Sequence, residues 1–442
     1  MPPKKKKVES KIFYTELVGP DLGPGGAKWR AAVAAPDGTV FCPPWCDGRV
    51  LRIHAEAHVS GPGKNDVRRV GPELPGRNKY RSGVLGRDGN IYCPPWCGSH
   101  VLRIDPRTDA VDLIGPDFGG CDDKWRDGTM GQDGALYCHP WAAPFVLRID
   151  TASGEVDMLG PDFGLGGGKW RAAVTLHDGR IYCPPCDASR VLRIDPAARA
   201  AELIGPDLGP APQKYWAALA CGPHEVFCPP WSGASRVLHV DARASAVALI
   251  GPDLGAGECK FRAVALAGDG PLAFCPPCNH NQVLKIDTRE KIVDVVGPEL
   301  CYGGFKFYCA VSGEDGRVYC PPWNGTKILC VRDPGDDAER DFELLRPDLG
   351  PGGGKYRAVV VGPDDYYLCV PWVAQNVLRM DTGKGIYETL LPKHGTQRDK
   401  WAGGAFGRLH TLYCPPYDAS KVLNVAFNDF SAEAQKKNSG AA

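Results

Sequence analysis

Lysine, aromatic and arginine side chains recur together along this chain, and in that combination they could bind an anion. A lysine is followed directly by Trp, Tyr or Phe nine times, and in six copies an arginine comes next. The lysines are Lys28, Lys79, Lys124, Lys169, Lys214, Lys260, Lys306, Lys355 and Lys400. The arginines are Arg30, Arg81, Arg126, Arg171, Arg262 and Arg357. Since positive charge in a concavity attracts anions, the pattern predicts binding of a phosphorylated molecule, an acidic protein tail or an acidic polysaccharide.

A proline corner, Cys-Pro-Pro-Trp or a close variant, follows each of these triplets. The triplet begins one extended run and the corner ends the next, so we expect both on the same face of the fold. The candidate ligand-binding residues are therefore the lysines and arginines of the six copies that have both, together with the corner tryptophans. These tryptophans are Trp45, Trp96, Trp141, Trp231 and Trp323.

A glycine-rich loop with an acidic residue precedes most of the lysines and offers a second interpretation of them. The acids are Asp21, Glu73, Asp117, Asp162, Asp207, Asp253, Glu299 and Asp348. Each acid is close enough along the chain to pair with the following lysine and fasten its own loop. The nine lysines and six arginines outnumber these eight acids, so an excess of positive charge is expected on that face under either interpretation.

The third copy departs most from the common pattern, and an asymmetric catalytic site would be built from such departures. Asp127 lies inside its first extended run, and His139 replaces the first proline after Cys138. A cysteine, a histidine and a carboxylate facing one opening can perform nucleophilic or acid/base chemistry. Sequence drift in a tolerant loop predicts the same residues, so both interpretations stay open.

The cysteines include two Cys-x-x-Cys pairs, Cys183 with Cys186 and Cys275 with Cys278. Zinc requires four ligands at short range, and these two pairs belong to copies that are not neighbours in the repeat. We therefore predict no metal and no cofactor. The repeated cysteine is expected to act as a small apolar residue packed between copies.

One cysteine marks the period of the whole chain. It recurs at Cys42, Cys93, Cys138, Cys183, Cys228, Cys275, Cys320, Cys369 and Cys414, mostly 45 residues apart. The fourth copy has four extended runs, at 170–174, 180–183, 190–194 and 201–204, and no helical pattern. Six copies have an Asp-Gly pair between the first two runs, which predicts a type I′ hairpin turn. Four antiparallel strands in about 45 residues are typical of a β-propeller blade.

The sequence thus predicts an all-β fold, a single closed β-propeller of nine four-stranded blades over residues 11–428. No fourth run follows the ninth copy, and the segment 12–18 ahead of the first copy matches the missing piece. We predict that residues 12–18 form the outer strand of the last blade, which removes open sheet edges. Residues 1–10 are interpreted as a basic disordered tail and residues 429–442 as a flexible tail.

The string DGNIYCPPW followed by HVLRIDPRTDAVDLIGPDFG, within residues 88–119, resembles the blades of NHL, SMP-30 and virginiamycin-lyase-like propellers. The shared features are the Asp-Gly hairpin, the aromatic strand and the Val-Leu-x-Ile-Asp strand. Enzymes of that group use metal-binding carboxylates, or a histidine with acids, over the central channel. This sequence has lysine and arginine there, so the resemblance implies mainly the binding role common among NHL propellers.

The bulk composition limits the classes of partner. The chain has 52 basic and 52 acidic residues, so no overall charge attracts it to nucleic acid or membrane. It has no apolar run long enough to span a bilayer and no secretory leader. Nineteen cysteines, an odd number, indicate free thiols in a reducing compartment. The tail MPPKKKKVES resembles a nuclear import signal, so we expect a cytoplasmic or nuclear protein that is not secreted.

These patterns lead to one main functional prediction and one alternative. The first is a non-enzymatic binding or scaffold protein that presents a Lys/Arg/aromatic channel mouth to an anionic ligand or a protein partner, or its circumference to a larger assembly. The alternative is an enzyme of lyase or hydrolase type with an asymmetric site near the third blade, formed by Cys138, His139 and Asp127.

Overall fold

The computed structural model describes residues 12–55, 65–120, 123–301, 303–332, 341–395 and 397–428. Over these residues the chain forms nine four-stranded antiparallel sheets, which are the blades of one closed β-propeller. The predicted fold class and blade number are confirmed. In the described ranges the only helical segment is a single 3-10 turn, Arg408–His410.

In each blade, strands follow one another from the channel outwards. Blades 1 to 3 contain β2 (Val33–Ala34), β3 (Val40–Cys42), β4 (Val50–Ala55) and β5 (Asn65–Val70); β6 (Val84–Leu85), β7 (Ile91–Cys93), β8 (Val101–Asp105) and β9 (Ala110–Ile114); β10 (Thr129–Met130), β11 (Ala135–Cys138), β12 (Val146–Asp150) and β13 (Val156–Leu159). Blades 4 to 6 contain β14 (Val174–Thr175), β15 (Ile181–Cys183), β16 (Val191–Asp195) and β17 (Ala200–Ile204); β18 (Leu219–Cys221), β19 (Glu225–Cys228), β20 (Val237–Asp241) and β21 (Ala246–Ile250); β22 (Ala265–Leu266), β23 (Leu272–Cys275), β24 (Val283–Asp287) and β25 (Ile292–Val296). Blades 7 and 8 contain β26 (Val311–Ser312), β27 (Val318–Cys320), β28 (Ile328–Val331) and β29 (Phe342–Leu345); β30 (Tyr356–Val361), β31 (Tyr366–Pro371), β32 (Leu378–Asp381) and β33 (Ile386–Thr389).

The ninth blade combines both ends of the described chain. It contains β34 (Ala405–Phe406), β35 (Leu412–Cys414) and β36 (Val422–Asn428), and its outer strand is β1 (Ile12–Val18). β1 pairs antiparallel with β36 along its whole length, from Ile12 opposite Asn428 to Val18 opposite Val422. The predicted closure by residues 12–18 is therefore confirmed. The two predicted tails, 1–10 and 429–442, lie outside the described residues.

The hairpin between the first two strands differs from the predicted type I′ turn. In blade 1 only Gly38 adopts a left-handed conformation (φ 82°), and its N–H donates to the Ala35 carbonyl at 2.9 Å. Asp37 keeps a negative φ, and its carboxylate accepts the N–H of Thr39 at 2.9 Å. The loop is therefore a type I turn followed by a left-handed glycine. The type I′ prediction is wrong because it counted two central residues where the loop has three.

The core lies between the blades. The nine repeated cysteines are fully buried, each at 0% exposure, and pack with branched and aromatic side chains of adjacent blades. The cluster around Cys42, for example, joins Leu51 of blade 1 to Tyr413 of blade 9. All 18 cysteines in the described ranges are free thiols. A small apolar residue thus fills each interface, as the sequence predicts.

Candidate functional site

The nine repeated lysines lie beneath the surface and fasten the loops. Their exposed fractions are between 0% and 8%. The ammonium group of Lys169 donates to the carbonyls of Gly164 (2.9 Å), Gly166 (2.8 Å) and Ala142 (3.1 Å), the last of which belongs to the preceding blade. Burial lowers the pKa of Lys169 to about 8. These ammonium groups are engaged by backbone oxygens, so they organise the face on which the site lies.

The lysine backbone also joins neighbouring blades. The N–H of Lys79 donates to the carbonyl of Trp45 in blade 1 at 2.9 Å, and its own carbonyl accepts the N–H of Trp96 at 2.8 Å. The first of these bonds recurs at all nine blade junctions, including that from Lys28 to Tyr417 of blade 9. The triplet and the proline corner therefore meet on one face, as their positions in the repeat predict.

The loop acids contact backbone N–H groups. The carboxylate of Asp162 accepts the N–H of Gly164 at 2.7 Å, and the same bond two residues along the chain forms in five other loops. Acid and lysine thus fasten the same loop through its backbone, with no direct ion pair needed between them. Each acid still offsets lysine charge nearby, since Asp162 counteracts the lowering of the Lys169 pKa. The arginines are left as the cations that face the channel.

Six arginines surround one central cavity, and we call them the arginine ring. The ring consists of Arg30, Arg81, Arg126, Arg171, Arg262 and Arg357, from blades 1, 2, 3, 4, 6 and 8. The cavity has a volume of about 230 Å³, and Asp127 and Ala402 complete its lining among the described residues. Each arginine comes directly after the aromatic residue at the start of the innermost run. In five of the six blades, Arg357 being the exception, that aromatic residue forms an isolated bridge to the proline corner.

Aromatic rings back these guanidinium groups. Arg30, Arg81 and Arg126 each lie 5.4 Å from the ring of their own corner tryptophan, Trp45, Trp96 and Trp141. The distance from Arg357 to Trp372 is 4.5 Å. Such stacking stabilises a cation by about 0.5–2 kcal/mol, more as it is desolvated. The arginines are therefore held in place before any ligand arrives.

Two aromatic residues that replace arginine also support the ring. The guanidinium group of Arg171 lies 3.2 Å from the centre of Trp216, and that of Arg262 lies 3.7 Å from the centre of Tyr308. Trp216 in turn packs on Trp231 at 5.0 Å, and Tyr308 stacks on Trp323 at 4.1 Å. The sequence shows both substitutions, but it does not show that the new rings reach an arginine of the preceding blade.

Like charges crowd the ring. Burial, followed by repulsion from the other guanidinium groups, lowers the pKa of Arg81 and of Arg171 well below the usual range. Asp127 is the one acid among the described residues that line the cavity, and it pairs with Arg126 at 3.2 Å. Arginine remains charged in proteins, so the cavity concentrates positive charge that a single carboxylate does not balance. An anion placed there would replace repulsion by attraction.

The three candidate catalytic residues lie close to this cavity, in the third blade. Cys138 is fully buried, and burial raises the pKa of its thiol far above the usual range. His139 is 2% exposed, and burial lowers its pKa to about 4. A protonated thiol is a weak nucleophile, and this imidazole is neutral at physiological pH. Of the three, only Asp127 adds charge to the lining.

The described residues show two further features that bear on function. They contain no group of three or more histidine, cysteine or acidic side chains placed to hold a metal ion. Nor does any helix in them have the length and apolar character needed to cross a membrane. Cys121 and Asp122, which precede the lysine of the third copy, lie outside the described ranges.

Comparison with solved structures places the chain among propellers. Dihydro-heme d1 dehydrogenase NirN, in complex with DHE, has a TM-score of 0.51 at 13% identity over 86% of this chain and 78% of that chain. Sqt1 of Saccharomyces cerevisiae has a TM-score of 0.50 at 11% identity, over 91% of this chain and 96% of that chain. A streptogramin B lyase has a TM-score of 0.46 at 11% identity, over 96% of this chain and 100% of that chain. At these identities the likeness concerns the fold.

No protein-family model matches the chain, and no curated protein matches it in sequence comparison.

Proposed function

We propose that this protein is a non-enzymatic binding propeller that captures an anionic ligand, or an acidic segment of a protein partner, in the arginine ring. The observation that carries the proposal is the convergence of six guanidinium groups on one cavity of about 230 Å³, where the described part of the lining contains a single acid. Guanidinium groups bind carboxylates and phosphates through paired hydrogen bonds.

The state of the arginines favours binding. Their side chains already stack on aromatic rings, so ligand binding would immobilise few additional side-chain rotamers and would lose little conformational entropy. Their mutual repulsion is relieved when an anion enters. Both effects increase affinity without requiring the protein to change shape.

The uneven ring suits a specific partner. Blades 1 to 4 contribute four consecutive arginines, whereas blade 9 contributes Ala402. The gaps in the ring fall at blades 5, 7 and 9, so the positive charge surrounds the channel unevenly. We place this role inside the cell, in the cytoplasm or nucleus, because thiols such as Cys301, Cys46 and Cys97 are accessible to oxidation.

The test is binding of a panel of anions by calorimetry at low ionic strength. The panel comprises sulfate, citrate, inorganic phosphates and a short poly-glutamate peptide. The triple variant Arg30→Gln, Arg81→Gln and Arg126→Gln should lose about tenfold or more in affinity for whichever anion binds. Arg107, which is 78% exposed on a hairpin outside the cavity lining, provides the control variant Arg107→Gln. If no member of the panel binds at millimolar concentration, the proposal fails.

A further inference from the structure

The chemical class of the ligand can be inferred from the arginine ring, on the premise that the ring binds an anion as proposed. The guanidinium groups come from blades distributed around the channel, and they line the same cavity. A ligand inside is therefore approached from several directions. It must present anionic oxygens on several sides, which a single carboxylate on an extended peptide does not do.

The size of the cavity favours a small ligand. Its volume of about 230 Å³ is below the roughly 300–1,000 Å³ that is typical of small-molecule sites. That space suits a compact ion. A folded peptide segment or a strand of nucleic acid would place only a small part of itself there.

The chemistry of the lining favours a charged, oxygen-rich ligand centre over an apolar one. Among the residues that the structure describes, the six arginines, Asp127 and Ala402 form the lining. The aromatic faces of Trp216 and Tyr308 are covered by Arg171 and Arg262. A nucleobase would therefore find no free ring to stack on among the lining residues. The part of the ligand in the cavity must be held through charge and hydrogen bonds.

The density of charge and of acceptor oxygens favours phosphate. Guanidinium presents a planar fork of N–H donors that matches carboxylate and phosphate oxygens alike, so the fork by itself does not select between them. The cavity has six such forks, and Asp127 partly neutralises one of them, that of Arg126. A ligand that satisfies them must carry several negative charges and many acceptor oxygens in a small volume. Neighbouring phosphate groups provide both, whether they share a bridging oxygen or are carried on adjacent carbon atoms.

We propose that the ligand of the arginine ring is a compact ion with two or three closely spaced phosphate groups. Such groups occur in inorganic diphosphate and triphosphate, in nucleoside triphosphates and on phosphorylated polyols. Asp127 would accept a hydrogen bond from a protonated phosphate or a ligand hydroxyl.

The experiment measures affinity by calorimetry for the full chain at one fixed ionic strength. The probes are inorganic phosphate, diphosphate and triphosphate, with citrate as a multiply charged carboxylate. We expect triphosphate to bind with one site per chain, about 100-fold tighter than phosphate and at least about tenfold tighter than citrate. The variant Arg81→Gln with Arg171→Gln should weaken triphosphate binding at least about tenfold, and Arg107→Gln should leave it unchanged.

The outcomes separate this inference from the proposed function. If citrate or poly-glutamate binds as tightly as triphosphate, the phosphate assignment is wrong and anion binding stands. If no probe binds, both fail. A thermal melt of each variant guards against misfolding, since removing a crowded cation should not lower the melting temperature at low salt.

Two further probes identify the source of the phosphates. An inositol trisphosphate that binds tighter than triphosphate would indicate a phosphorylated polyol. Equal affinities for ATP and triphosphate would show that the base contributes nothing, as the lining predicts. ATP binding that is much tighter than triphosphate binding would overturn the argument from the covered aromatic rings.

Discussion

Each arginine of the ring is subject to two opposing effects. Arg171 stacks on Trp216 at 3.2 Å, which stabilises it, while Arg126, Arg262 and Arg81 repel it. Repulsion between charges depends on ionic strength far more than stacking does. Salt therefore distinguishes which effect dominates at a given residue.

The variant Arg171→Gln tests this balance. At low ionic strength we expect it to raise the free energy of unfolding by about 1 kcal/mol, because the removed repulsion exceeds the lost stacking. This increase in the free energy of unfolding should be smaller in about 0.3 M salt, where the repulsion is screened. Thermal unfolding at low salt and at this salt concentration measures the increase, with Arg107→Gln as the exposed control. A variant destabilised equally at both concentrations would show that stacking dominates.

The buried thiols predict a loss of stability in alkali. Burial raises the pKa of Cys93 far above 9.0, its value when exposed. Above pH 9 the unfolded chain therefore loses this proton while the folded chain keeps it, so stability is complete below about pH 8 and falls as pH rises through 9. Cys93→Ala removes one such group.

The measurement is urea unfolding of the natural chain and of Cys93→Ala at pH 8 and pH 10. Between these values the natural chain should lose about 1.4 kcal/mol more than the variant. The buried lysines act in the opposite direction in both proteins and cancel in the difference. An identical loss in both would mean that Cys93 ionises normally in the fold.

At the scale of elements, the loop and its lysine form one unit. The three carbonyls that contact Lys169 belong to the loop before it and to the preceding blade. Lys169→Met keeps the length of the side chain but leaves these oxygens without their donor. The expected loss is about 2–4 kcal/mol in the free energy of unfolding.

Lys285 provides the matched control for that experiment. It pairs with Asp294 at 3.5 Å on the outer strands, where the acid is 49% exposed. Lys285→Met should change stability by less than about 1 kcal/mol. Urea unfolding compares the two variants. A loss at Lys169 no greater than at Lys285 would contradict the structural role of the buried ammonium groups.

The sequence predicts the positions of the strands better than the burial and contacts of individual lysine and arginine side chains. Strand positions and the triplet's place beside the channel follow from a period that repeats nine times. The burial of Lys169 does not, because its carbonyl partners depend on the conformation of the glycine-rich loop. Nor does the contact between Arg171 and Trp216, since it joins residues 45 positions apart in neighbouring blades.

For the whole molecule, stability depends on closure. Each blade junction has one backbone hydrogen bond from a lysine and a shared apolar core, so the ring is a circle of equivalent interfaces. β1 belongs to the ninth blade, yet it lies next to the first blade in sequence. Removing it would leave β36 as an open edge.

A chain that begins at residue 19 tests closure. We expect its melting temperature to fall by more than about 4 °C, and we expect it to aggregate through the edge of β36. A chain that lacks only residues 1–10 is the control and should melt like the full protein. Adding a synthetic peptide with the sequence of residues 12–18 should restore part of the loss. An unchanged melting temperature would show that β1 adds nothing to the ring.

The pairing of β1 with β36 also delays the completion of the ninth blade during synthesis. Among the strands of the described residues, β1 leaves the ribosome first and its partner β36 leaves it last. At about 5–20 residues per second, roughly 20–80 s separate the two. Through that interval the strand with the sequence IFYTELV lacks the partner that its backbone pairs with, although Val18 at its end can already pack against the core of blade 1. Its backbone N–H and C=O groups therefore stay unpaired by a neighbouring strand until the ninth blade is complete.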